Sequence, residues 1–118
     1  MTEDSNIEFD LSYLNQVFQG NKQMINNIIS MFIKQVPEYI HEMEECVVRA
    51  ELEALHPLAH KAKSSVAMLG LKNMEQIILE IEHKSRTSED LEALPSLVRK
   101  ASVEVKGIAS KLEKVLKE

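Results

Sequence analysis

The chain has 118 residues, enough for one domain with a real core and too few for two. Hydrophobic residues make up 44% and charged residues 28%, with three Gly, three Pro and no Trp, which excludes the low hydrophobicity of disordered chains. The net charge of −5 gives no support to a nucleic-acid role, for which a basic patch or stripe is usual.

The single Cys46 cannot form an internal disulfide and fits a reducing compartment. The opening Met1-Thr2-Glu3-Asp4 is acidic and polar, unlike a secretory signal, and no apolar run approaches the length of a membrane span. A cytoplasmic protein with no membrane or nucleic-acid partner is expected.

Apolar residues recur at helical spacing almost throughout, without strand-like alternation, and five helices are predicted. Asp10 starts a short first helix over 10–19 that carries Leu11, Leu14, Val17 and Phe18 and stops at Gly20. Asn21 caps a long second helix over 21–48, whose stripe is Ile25, Ile28, Ile29, Phe32, Val36, Ile40, Met43 and Val47. That spacing holds across Pro37, so the proline is read as a kink rather than a break. After a short turn at 49–51, the third helix spans 52–69, or begins as late as His56 because Pro57 suits a first turn, and Gly70 ends it.

The fourth helix spans 72–84, with Met74, Ile77, Ile78 and Ile81 on one face. A polar loop at 85–90 follows, with Ser88 as cap of a last helix over 89–117 that carries Leu91, Leu94, Val98, Ala101, Val105, Ile108, Leu112 and Val115 or Leu116. Four long amphipathic helices with short connections predict an all-α fold, an antiparallel up-down-up-down four-helix bundle with a short additional N-terminal helix. The whole chain, 1–118, reads as one domain. The start at Met1 and the lack of a linker favour a free-standing protein, and a single bundle accounts for the apolar residues, so a monomer is expected.

The informative segment is HPLAHKAKSSVAMLG, residues 56–70. On a helical wheel Leu55, Leu58, Ala62, Val66 and Leu69 fall roughly 120–180° from His60 and define the core side. His60 therefore points away from the core. Within roughly 60° of it lie Glu53, His56, Lys63, Ser64 and Ala67, so its neighbours one turn on are small or cationic. An imidazole titrates near neutrality and offers a free nitrogen lone pair, and a lysine supplies a point charge for a phosphoryl group.

The run His60-Lys-Ala-Lys63-Ser64 with Gly70 ten residues after the histidine resembles the signature of histidine-containing phosphotransfer (HPt) domains. The opening Asp10-Leu-Ser-Tyr-Leu14, the Val17-Phe18-Gln-Gly20-Asn21 that follows, and Phe32 then Pro37 are similar to the same family. The resemblance covers roughly residues 10–84. It departs at Ala62, where the family has leucine, and at Ser64, where it has glycine; the serine hydroxyl either bonds a phosphoryl oxygen or hinders docking.

The resemblance implies a phosphoryl carrier, not an enzyme, that shuttles the group between aspartates of response-regulator receiver domains, with a hybrid sensor histidine kinase upstream. His60 would accept the phosphoryl group, Lys63 would stabilise its charge, and Glu82, twenty-two residues on, would orient His60 through Nδ1. His56, Lys61, Ser64 and Ala67 would form a docking rim. The receiver would bring Mg²⁺, and no Gly-rich nucleotide loop occurs here, so no cofactor is expected.

Two other readings compete. The Glu-x-x-His pairs Glu38/His41, Glu53/His56 and Glu80/His83 occur in di-metal bundles, but only facing inward, and here the wheel turns them mostly to solvent; no structural metal is expected. A helical adaptor in which His60 is incidental would not need Lys63 and Gly70 beside it.

Overall fold

The computed structural model describes residues 10–117, and every regular element among them is helical. The α-helices are α1 (Ser12–Val17), α2 (Lys22–Val48), α3 (Leu55–Met68), α4 (Lys72–Thr87) and α5 (Leu94–Leu116). One-turn 3₁₀ segments, Leu52–Ala54 and Leu91–Ala93, lead into α3 and α5. Helix α2 packs against α3 and α5, and α4 packs against the same two, so the four long helices enclose one core. No helix among the described residues is long and apolar enough to cross a membrane.

Helix α2 begins as its sequence predicts: the Asn21 side chain accepts from the Met24 N–H at 3.1 Å, satisfying one of the free amides of the first turn. It runs unbroken through Pro37 and buries Ile25, Ile29, Phe32, Val36, Ile40, Met43 and Cys46. The predicted stripe needs two corrections. Ile28 and Val47 lie half-buried at its edges, and Cys46, three residues after Met43, takes the final core position.

Helix α3 starts later than 52, because Leu52–Ala54 is wound as 3₁₀. Pro57 then falls in the first α-helical turn, where a missing N–H leaves no intrahelical bond unmade. The core side is Leu55, Leu58, Ala62, Val66 and Leu69, joined by Ala59, which is fully buried. The helix closes with a paired set of backbone bonds, Gly70 N–H to the Ala67 carbonyl at 3.1 Å and Leu71 N–H to the Val66 carbonyl at 3.3 Å. Gly70 has φ +65°, and the Asp10 amide reaches across to the Leu69 carbonyl at 2.9 Å. The start of the described chain is thereby tied to the end of α3. Asp10 also accepts from the Ser12 N–H at 2.8 Å, so it orders the entry to α1 two residues ahead of the first helical residue.

The largest departure lies between α4 and α5. Residues 85–87 are helical rather than loop, and Ser85 is buried. It sits four residues after Ile81 on the same face, and its hydroxyl donates to the Ile81 carbonyl at 2.6 Å, so no polar group is stranded. Ser88 does not cap the last helix; it ends α4 in the left-handed conformation, φ +58°. Helix α5 starts at Leu94 with Pro95 in its first turn and no side-chain cap. Its buried residues include Leu97 and Ser102 beside the predicted Leu94, Val98, Ala101, Val105, Ile108 and Leu112; Leu91, Val115 and Leu116 flank the core half-buried.

Candidate functional site

His60 lies in the middle of α3, and its side chain is 65% exposed. Neighbouring Ala59 and Ala62 are fully buried, so the helix is clamped from behind while this residue projects. Across the α3–α4 seam stands Glu82. On α4 it lies next to buried Ile81 and three residues before buried Ser85, at the border of the apolar face, and its side chain is only 15% exposed.

Glu82 joins two side chains, those of His60 and Lys63. Its Oε2 meets His60 Nδ1 at 2.8 Å, and Lys63 Nζ donates to both carboxylate oxygens, at 3.1 and 3.2 Å. The carboxyl is held below its ordinary value of 4.5, first by the His60 hydrogen bond, against an opposing push from burial, and further by Lys63. An ionised carboxylate can only accept, so His60 Nδ1 is the donor, and in the neutral ring the lone pair is left on Nε2. That fixes the tautomer of the neutral ring, on a side chain that is mostly exposed.

The remaining predicted residues spread around this centre. The half-buried His56 stacks on His60, ring centres 6.3 Å apart and planes inclined by 26°. Lys61 is exposed and its ammonium stands 5.9 Å from the centre of the Tyr39 ring on α2, a cation–π contact. Ser64 and Ala67 are exposed, one and two turns beyond His60. Tyr39 has no place in the sequence reading; its one signal is its position beside Ile40, at the edge of the α2 stripe. The Glu-x-x-His pairs do not face the core: Glu38, His41, Glu53, Glu80 and His83 are exposed and His56 is half-buried. His41 instead approaches Glu44 and Glu45, and His83 approaches Glu89.

A protein-family model described as Hpt domain matches residues 27–118. The chain belongs to the Hpt domain family. The match takes in α3, α4 and α5 and most of α2, and with them His60, Lys63 and Glu82. Hpt domains are phosphocarriers rather than enzymes, serve histidine phosphotransfer in two-component signalling, and interact with receiver domains and histidine kinases. No curated protein and no solved structure matches this Hpt domain.

The depressed Glu82 ionisation carries a pH signature. A carboxyl whose folded value is lowered contributes stability that is fully present above its unfolded value and is lost as pH falls through the folded one. The Glu82 side-chain carboxyl, followed by NMR, should therefore titrate with a midpoint below 4.5. In Glu82→Gln the His60 ring should lose its fixed tautomer balance in ¹⁵N spectra. A midpoint at or above 4.5, or identical ring spectra, would remove Glu82 as the group that orients His60.

Proposed function

We propose that this Hpt domain relays a phosphoryl group to and from receiver-domain aspartates through Nε2 of His60. The observation that carries the proposal is the exposed imidazole whose Nδ1 is bonded to Glu82 at 2.8 Å. In the forward step Nε2 attacks the phosphorus of an aspartyl phosphate, a P–N bond forms, and the P–O bond breaks to release the aspartate carboxylate. The ring, protonated at Nδ1 and now substituted at Nε2, becomes cationic. Glu82, already ionised and in contact, meets that developing charge without rearrangement. The cationic phosphoimidazole is also a good leaving group, which keeps the step reversible.

Lys63 has a double part in this reading. Two of its contacts hold Glu82, and its charge stays beside the imidazole, where it favours the incoming phosphoryl anion. Lys63→Ala should slow transfer about tenfold, equivalent to roughly 1.4 kcal/mol of barrier, in a rapid-quench assay with a phosphorylated receiver. An unchanged rate would leave Lys63 with a structural part only. His56, Lys61, Ser64 and Ala67 form the docking rim, and the receiver contributes Mg²⁺ and most of the catalytic groups, since phosphoryl transfer depends mainly on positioning and charge stabilisation.

The arrangement that holds the site is an antiparallel up-down-up-down bundle, with α1 as the short additional helix, forming one domain over 1–118. The order of helix neighbours and the short connections support it. The single buried thiol, Cys46, and the signalling role fit a cytoplasmic monomer fed by a hybrid sensor kinase. Incubation with a phosphorylated receiver tests the proposal: label should move to this chain and prove acid-labile, and a chain that stays unlabelled would be an adaptor instead.

A further inference from the structure

The imidazole pair on α3 has a second chemistry open to it. His56 and His60 stand one helical turn apart on one face, with ring centres 6.3 Å apart. Nδ1 of His60 is taken by Glu82, so Nε2 is the nitrogen it offers outward. A carboxylate on the far nitrogen is the usual setting of a metal-ligating histidine, because it fixes ring orientation and raises the basicity of the free nitrogen.

We propose that His56 and His60 form an exposed two-imidazole site for a divalent transition-metal ion of the zinc class, and that its occupancy blocks Nε2 of His60 against phosphorylation. Two imidazoles ligating one tetrahedral ion at about 2.0–2.1 Å put their ring centres roughly 5–5.5 Å apart, so the rings must close by about 1 Å from their 6.3 Å spacing, a movement that side-chain rotation at this surface supplies. Imidazole nitrogen suits zinc, copper and nickel, whereas magnesium and calcium take oxygen ligands. Among the described residues no three His, Cys, Asp or Glu side chains gather into a metal cage. The described residues therefore offer two ligands and leave the other positions to water, which makes the site exchangeable rather than structural. The lone pair that would bond the metal is the one that would attack phosphorus, and it cannot do both. The blocking effect rests on His60 being the phosphoryl acceptor; the metal binding does not.

The experiment uses the full chain, stripped with a chelator and titrated with Zn²⁺ alone, with the histidine ring nitrogens followed by NMR and the heat by calorimetry. The His56 and His60 ring signals should shift together. His56→Ala should weaken zinc binding roughly tenfold or more through loss of the second tethered ligand, and Glu82→Gln should weaken it about tenfold. His41→Ala, which removes the histidine beside Glu44 and Glu45, should leave it unchanged. Absence of binding, shifts confined to His41 or His83, or undiminished affinity in His56→Ala would overturn the site.

Phosphorylation of the chain by phosphoramidate, which needs no receiver, then separates blocking from binding. Zinc should slow this reaction in the unaltered chain and far less in His56→Ala, each compared with its own zinc-free rate. An unslowed reaction with both rings zinc-bound would overturn the blocking. If the zinc-free chain takes label elsewhere than His60, the acceptor reading and the blocking fall together while the metal site stands.

Discussion

His60→Gln is expected to remove all label transfer from a phosphorylated receiver while leaving the folded chain intact. The side chain is mostly exposed and buries no apolar surface of consequence, so its direct share of stability is small. Glutamine keeps an amide N–H that can reach Glu82, which limits the penalty on the part-buried carboxylate and leaves Lys63 its partner. Unfolding by urea should therefore move by no more than about 0.5 kcal/mol. What glutamine lacks is a nucleophilic nitrogen, because its amide lone pair is delocalised. Label that persists in the variant would reassign the acceptor to His41, His56 or His83, and a large fall in stability would show that the residue was chosen for packing.

Gly70→Ala should be the most damaging single-methyl change for the fold outside the core. Its φ of +65° costs a side-chain-bearing residue about 1–2 kcal/mol. A Cβ there would also lie 2.7 Å from the Asp10 Cβ and 2.8 Å from the Asp10 amide nitrogen and carbonyl oxygen. Backbone cannot swing aside as a flexible side chain can, so either the Asp10 amide gives up its bond to Leu69 or the end of α3 shifts. The combined loss should be about 2–4 kcal/mol in urea unfolding. Gly20 is the matched control: its φ is +72°, with nothing within 4 Å of an added Cβ, so Gly20→Ala should cost only about 1–2 kcal/mol. Equal losses at the two positions would mean that the close approach of Asp10 is not what requires glycine.

This gives Gly70 a physical meaning separate from chemistry. Ten residues from His60, it lets the entry segment cross the end of the helix that bears the histidine. The motif thus combines an exposed histidine with the closure that seats its helix.

Much of the architecture was legible because helical burial is periodic and local. Residues three and four apart share a face whatever surrounds them, so the stripes of α2, α4 and α5, and the outward direction of His60, follow from spacing alone. The errors gather where neighbouring helices decide. Ser85 reads as loop because serine and the polar residues after it suggest a turn, yet its back-bond to Ile81 lets it lie in the core face. Cys46 displaces Val47, and Ala59 joins the buried side, because the width of each stripe depends on how the adjoining helices meet it.

For the candidate site the division is similar. The sequence by itself determined an exposed histidine on α3 with Lys63 one turn on, because these are properties of a single helix, whereas Glu82 is singled out only through the family resemblance. Only the tertiary structure decided that Glu82 holds His60 and Lys63 together, that His56 lies against His60, and that Asp10 meets Gly70. Those contacts depend on the relative placement of helices and on side-chain rotamers, which spacing along one chain does not encode.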